Sequence, residues 1–263
     1  MTIVDSQCHV SPIWFEPVES LLFQMDRYGV ERAVLIQMLG QYENHYQMAC
    51  TKMHPDRLRS VVGVDWADPL ALDQLRRAAD LGATGVRLRP GSRSPGDDPL
   101  AIWRVAQECQ LAVSCVGSVE TFNSPEFANV LTEMHALPVV LEHFAGQARP
   151  DDTEDARAAR RQGLLLSRFP NVFLKLPGLG ELLPRATPPS EDGSPVKPGA
   201  RVLIDAAIDA FGAERLMWGS DFPVVSSREG YGNALLASRE ACAHLPHQSR
   251  SSIFAETAIH VFK

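Results

Sequence analysis

Short apolar runs alternate with amphipathic stretches along most of this chain. Runs dominated by Val, Ile and Leu read as strands buried on both faces. Eight are found, at Ile3–Cys8, Ala33–Met38, Ser60–Asp65, Gly85–Arg89, Ala112–Val116, Val139–His143, Val172–Leu176 and Leu216–Ser220. Helical spacing between them predicts helices over Val18–Tyr28, closed by Gly29, and over Asp73–Leu81, closed by Gly82. Another starts at Asn123-Ser124-Pro125-Glu126 and runs to His135. Thr153–Phe169 and Arg201–Phe211 follow, the second closed by Gly212, and residues 231–243 and 249–257 finish the chain. Strands alternating with helices predict an α/β fold, a single-domain (β/α)8 TIM barrel over residues 1–263. A doubly wound sheet is the alternative. Pro184–Gly199, rich in Pro, Ser and Gly, breaks the rhythm after the seventh strand. It is expected over the catalytic face, either folding over substrate or as a solvated insertion.

Composition narrows the function. With 263 residues, 45% of them hydrophobic, the chain has material for a sizeable core. A net charge of −7 argues against nucleic acid as a partner. No apolar run is long enough for a membrane span, and no secretory signal is visible. Five scattered cysteines without a C-x-x-C pair fit reduced thiols and a cytoplasmic protein. The expected partner is a small molecule, and a homo-oligomer is compatible with all of this.

In a barrel, polar side chains at the C-terminal ends of strands converge on one mouth. The first strand offers Gln7 and His9, two apart and on one face with Asp5. A histidine at position 7 would complete a metal-binding His-x-His. Gln7 offers only a neutral amide oxygen. The second strand ends at Gln37, before a polar loop containing Tyr42 and Asn44. Arg87 and Arg89 lie two apart on the fourth strand, and such a pair suits a substrate carboxylate. One of them could instead pair with a neighbouring carboxylate. Cys115 reads as a packed core thiol. His143 closes the sixth strand, Lys175 sits on the seventh, and Asp221 follows the eighth. Lys175 is read as either a substrate ligand or a buried ion-pair partner. Glu142 is expected to point opposite to His143, into the helix layer and outside the site.

These positions resemble the amidohydrolase-related (amidohydrolase-2) group of the amidohydrolase superfamily, most closely its lactonase branch. That branch contains sugar lactonases and 2-pyrone-4,6-dicarboxylate lactonase. The matching stretches include Val4-Asp5-Ser6-Gln7-Cys8-His9, Gly85-Val86-Arg87-Leu88, Leu141-Glu142-His143-Phe144 and Phe169-Pro170-Asn171-Val172-Phe173-Leu174-Lys175-Leu176. Trp218-Gly219-Ser220-Asp221-Phe222-Pro223 completes them near the C-terminus. The resemblance implies a barrel hydrolase with a catalytic aspartate, here Asp221, and a histidine on strand six, here His143. Of the strand-one motif only His9 is kept. Metal-dependent relatives also carry a histidine on strand five, where this chain has Ala112-Val113-Ser114-Cys115.

Two absent ligands steer the reading toward a lactonase without metal. Asp221 is expected to activate water, His9 and His143 to polarise the carbonyl with help from Gln7. Arg87 and Arg89 would hold a substrate carboxylate, and Asn44, Tyr42 and Lys175 would complete the pocket. No cofactor is expected. The alternatives are a zinc- or manganese-dependent hydrolase or aromatic-acid decarboxylase using the Gln7 oxygen, a hydrolase of another carbonyl or enol, and a non-catalytic barrel binding a small acid.

Overall fold

The computed structural model describes residues 1–146, 153–187 and 195–263. Eight strands form one sheet in chain order: β1 (Val4–Cys8), β2 (Arg32–Ile36), β3 (Leu58–Gly63), β4 (Gly85–Leu88), β5 (Ala112–Cys115), β6 (Val139–Leu141), β7 (Val172–Leu176) and β8 (Leu216–Trp218). Every neighbouring pair in that order is parallel. The result is the expected TIM barrel. The expected helix ends also appear: Gly29 closes Val18–Tyr28 with φ 69°, and Ser124 caps Pro125–Glu133 through the Phe127 N–H at 3.1 Å. Among the described residues, the helices His45–Met53 and Ala101–Glu108 and the short turns Val119–Phe122 and His143–Gly146 were not read from the sequence.

Alternation along each strand separates two apolar layers. Val34, Ile36, Val61, Ala112, Val140 and Met217 pack together in the barrel interior. Their neighbours Leu35, Val62, Val113, Leu141 and Trp218 pack outward in the larger cluster that contains the helices. The last turns of the chain bring Ala255, Ala258, Val261 and Phe262 into the inner cluster beside Val4, filling the end of the barrel where the strands begin. Above this apolar floor the inward positions turn polar: Arg87 on β4, Ser114 on β5, Glu142 after β6 and Lys175 on β7 are all buried.

The seam between the first and last strands is built differently from the others. No ladder joins β1 to β8, and the chain beyond β8 closes the barrel instead. His9 N–H donates to the Phe222 carbonyl at 2.7 Å, and Asp221 N–H donates to the Gln7 carbonyl at 2.9 Å. Ser220 N–H and Gln7 N–H both donate to Asp5 Oδ1, at 2.8 and 3.2 Å. Gly219 makes this approach feasible, since a Cβ there would lie 2.6 Å from the Gln7 Cβ.

Pairing of β1 with β2 shifts register between Asp5 and Cys8. That bulge corrects the expectation that Asp5, Gln7 and His9 share a face. Val4 packs inside and Cys8 outside, so strict alternation is broken between them. Gln7 and His9 reach the interior while Asp5 ties down the seam. The base of the Pro184–Gly199 segment is a small antiparallel pairing of Arg185 with Val196. The part that would fold over substrate, residues 188–194, lies outside the described residues. Among the described residues no helix is long and apolar enough to cross a membrane.

Candidate active site

Five buried polar side chains form a continuous network across the barrel floor. Arg87 donates from Nε and Nη2 to the two Glu142 oxygens, at 3.1 and 2.6 Å, and from Nη1 to the Gln37 carbonyl at 2.9 Å. Ser114 Oγ donates to Glu142 Oε1 at 2.7 Å. Lys175 Nζ donates to Ser114 Oγ at 2.8 Å and to Gln7 Oε1 at 2.5 Å. Burial alone would push the Glu142 carboxyl up, but Arg87 and Lys175 prevail and hold it well below the usual carboxylate range. Burial pulls the Lys175 ammonium down to about 8, against the opposing pull of Glu142.

The network corrects the expectation for Glu142 and favours the structural alternatives left open for Arg87 and Lys175. Glu142 points into the barrel, because alternation from the inward Val140 carries it there. His143 reaches the mouth by another route, a left-handed turn in which His143, Phe144 and Ala145 have φ of 53°, 53° and 58°. Arg87 is buried and engaged by Glu142, so it is not free for a substrate carboxylate. Lys175 is buried beneath the site and holds protein groups, not substrate. Asn44 also serves the fold: its amide bonds both the N–H and the carbonyl of Gly63, at 3.0 and 2.9 Å, clamping the β2 loop to the end of β3. Tyr42 is exposed on that loop, and Arg89 is exposed just beyond β4.

Three groups meet above the network. His9 Nε2 lies 3.3 Å from Asp221 Oδ1. The other ring nitrogen, Nδ1, is 2.7 Å from the Ile36 carbonyl and must donate to it. The Phe15 ring packs on the imidazole at 5.6 Å between centroids. His143 Nδ1 lies 2.5 Å from Glu181 Oε1, and Arg228 Nη1 lies 3.5 Å from Glu181 Oε2 and 3.8 Å from Asp221 Oδ2. Burial disfavours the His143 cation, but the Glu181 carboxylate outweighs it and raises the imidazole above its ordinary value. Burial likewise disfavours the Asp221 anion, yet His9, His143 and Arg228 hold its carboxyl below the ordinary range. Asp221 itself has φ 61°, a left-handed conformation that turns its carboxylate toward His9.

These contacts alter one expected role. With Nδ1–H committed to Ile36 and Nε2 facing Asp221, His9 has no free N–H to donate to a carbonyl oxygen. Glu181 and Arg228 were missed in the sequence, because both lie in irregular segments without periodicity. Glu142 was left out of the site, although alternation from Val140 would have placed it there, and the Ser114 hydroxyl could have been found from its inward place on β5.

The donor set also tests the metal that related barrels carry. A metal held from β1 needs a lone pair from position 7. Here the Gln7 oxygen is taken by Lys175, and the amide nitrogen faces His9 Nε2 at 3.4 Å. With its oxygen bound by Lys175 and its amide NH2 facing the His9 nitrogen that would ligate, Gln7 offers no ligand, and these residues do not fit a β1-held metal. His143, Glu181 and Asp221 place ligand atoms within 4.8 Å of one another. Their carboxylates already face the Arg228 guanidinium, which supplies the positive charge there.

Comparison with known proteins agrees with this architecture. L-fucono-1,5-lactonase from Burkholderia ambifaria is 27% identical over 248 residues, 90% of this chain and 81% of that protein. The crystal structure of a candidate 2-pyrone-4,6-dicarboxylic acid hydrolase from Pseudomonas putida superposes with a TM-score of 0.76 at 26% identity, over 99% of this chain and 97% of that one. A zinc-bound amidohydrolase from Burkholderia multivorans gives a TM-score of 0.79 at 19% identity, over 100% and 99% of the two chains, a likeness of fold alone. The amidohydrolase family model matches residues 6–263. With the barrel, its polar mouth and this match over nearly its whole length, the chain belongs to the amidohydrolase family.

Proposed function

We propose that this enzyme opens the ring of a hydroxylated or acidic lactone, using Asp221 to direct water and without a metal. The observation that carries the reading is the Asp221 carboxylate held between His9 and His143 at the barrel mouth. The lactonase name of the Burkholderia ambifaria relative and the lactone-type substrate in the name of the Pseudomonas putida structure support the substrate class.

The chemistry follows from the geometry. Asp221 is ionised at neutral pH and accepts a hydrogen bond from water, orienting its oxygen toward the lactone carbonyl carbon. As that C–O bond forms, a water proton passes to the Asp221–His9 pair. The carbonyl oxygen gains negative charge, and His143, whose cationic form Glu181 favours, is the N–H donor for it. When the tetrahedral intermediate collapses, the ring C–O bond breaks and the leaving ring oxygen recovers the proton. The product is the open hydroxy acid. A lactone is an activated ester, so hydrogen-bond donors can replace a Lewis acid. Arg89 is the arginine still exposed at the rim to meet a substrate carboxylate.

The test is proton release from a panel of sugar and acidic lactones, with and without a strong chelator. Chelator-resistant turnover is expected. Turnover abolished by chelator and restored by zinc or manganese would overturn the metal-free mechanism. No turnover on any lactone would overturn the substrate class.

A further inference from the structure

The Lys175 ammonium touches neither the mouth nor solvent, yet it is buried at the centre of the barrel at a cost that protein interiors rarely carry. Its two hydrogen bonds go to Ser114 and Gln7. An ammonium has only donors, so at 2.5 Å the Gln7 atom facing it must be the carbonyl oxygen. The opposite amide orientation would press an NH2 group against a cation. Gln7 therefore has one orientation, and its NH2 is aimed at His9 Nε2, 3.4 Å away.

From this we propose that Lys175 is a positioning residue which, through the Gln7 amide, keeps the Nε2 lone pair of His9 free to take the proton of the attacking water. The proposal deepens the lactonase reading and rests on it for the identity of the reaction. The Ile36 carbonyl fixes the proton of neutral His9 on Nδ1. The Gln7 NH2 favours a bare Nε2 over a protonated one, since two donors would otherwise face each other. A bare Nε2 and the Asp221 carboxylate then present two acceptors 3.3 Å apart. A water between them donates to both.

The balance is simple: one water O–H bond breaks, the oxygen bonds to carbon, and the proton rests on His9 Nε2. It passes to the ring oxygen when the C–O bond breaks. The internal cation thus sets up the water-activating pair from below.

The experiment is nitrogen-15 NMR of the histidine rings in the full-length protein at pH 7, with the His9 signal assigned by loss in His9→Gln. In the wild type, the expected pattern is a protonated Nδ1 and an unprotonated Nε2. In Lys175→Met the amide is released to turn its oxygen toward His9, and the pattern should change to imidazolium. Gln7→Met removes the NH2 donor while retaining Lys175, and should give the same change if Lys175→Met does not fold. An imidazolium in the wild type, or an unchanged pattern in the folded variants, overturns the proposal. Kinetics adds the second readout: kcat should fall ~10-fold or more in either variant with little change in KM, an effect of the size seen when a supporting group behind a reacting one is removed. A KM-only effect would also overturn it. Because the NMR needs no substrate, a correct histidine pattern in a protein that hydrolyses no lactone would leave this geometry standing and refute only the substrate class.

Discussion

Glu142 and Arg87, from the ends of different strands, meet through paired hydrogen bonds of 2.6 and 3.1 Å with almost no solvent contact. Such a pair is costly to break from one side, because the remaining charge stays buried. Glu142→Ala should lower folding stability by about 3–5 kcal/mol, read from denaturant unfolding. If Arg87 instead served substrate, its loss would appear mainly in KM, with little change in stability.

Asp221→Asn keeps the size of the side chain and removes its charge. Turnover on the best lactone should drop by roughly 10²–10⁴, the usual worth of a general base. Circular dichroism should show the fold unchanged. Turnover near that of the wild type would remove Asp221 from the mechanism.

Lys175 sets an alkaline limit on activity. Burial, helped by Arg87, pulls its ammonium down to about 8 in the fold, against the opposing pull of Glu142, Asp5 and Cys8. Its ordinary value is about 10.4. Between those values the unfolded chain binds the proton more tightly, so the lysine's contribution to stability rises with pH. A fall in kcat/KM above pH ~8, the folded value, is nevertheless expected, because the neutral amine no longer fixes the Gln7 amide. Melting temperatures across the same range distinguish this from unfolding, which the lysine's titration opposes.

Arg89 gives the substrate class a separate check. Arg89→Ala should raise KM for acidic lactones about 10-fold or more and leave neutral sugar lactones nearly unchanged, since a charge-assisted contact contributes roughly 1.5–3 kcal/mol. Equal effects on both classes would show that the guanidinium does not read a carboxylate.

Much of this architecture is legible in the order of apolar runs. Eight buried strands of the right length, interrupted by helices, leave few other folds. Side-chain direction is where the sequence reading failed, and each failure has a local cause. A bulge in β1 separated Asp5 from Gln7 and His9. A left-handed turn let both Glu142 and His143 reach the interior, although neighbours on a regular strand cannot. Glu181 and Arg228 come from segments without a repeating pattern, so only the folded chain brings them to Asp221. Lys175 was narrowed to two roles by its place on β7. Its actual partners depend on β1 and β5, which no local pattern connects.

The seam between β1 and β8 has a consequence for how this enzyme loses activity. His9 and Asp221 come from opposite ends of the barrel sequence, and the loop after β8 is what brings them together. No fragment lacking either end contains the pair, however well its remaining strands fold. A small opening confined to this seam would separate the two groups while the continuous β2 to β7 ladder stayed intact. On the proposed mechanism catalysis is therefore a sensor of ring closure, the first property to go when the barrel begins to unzip.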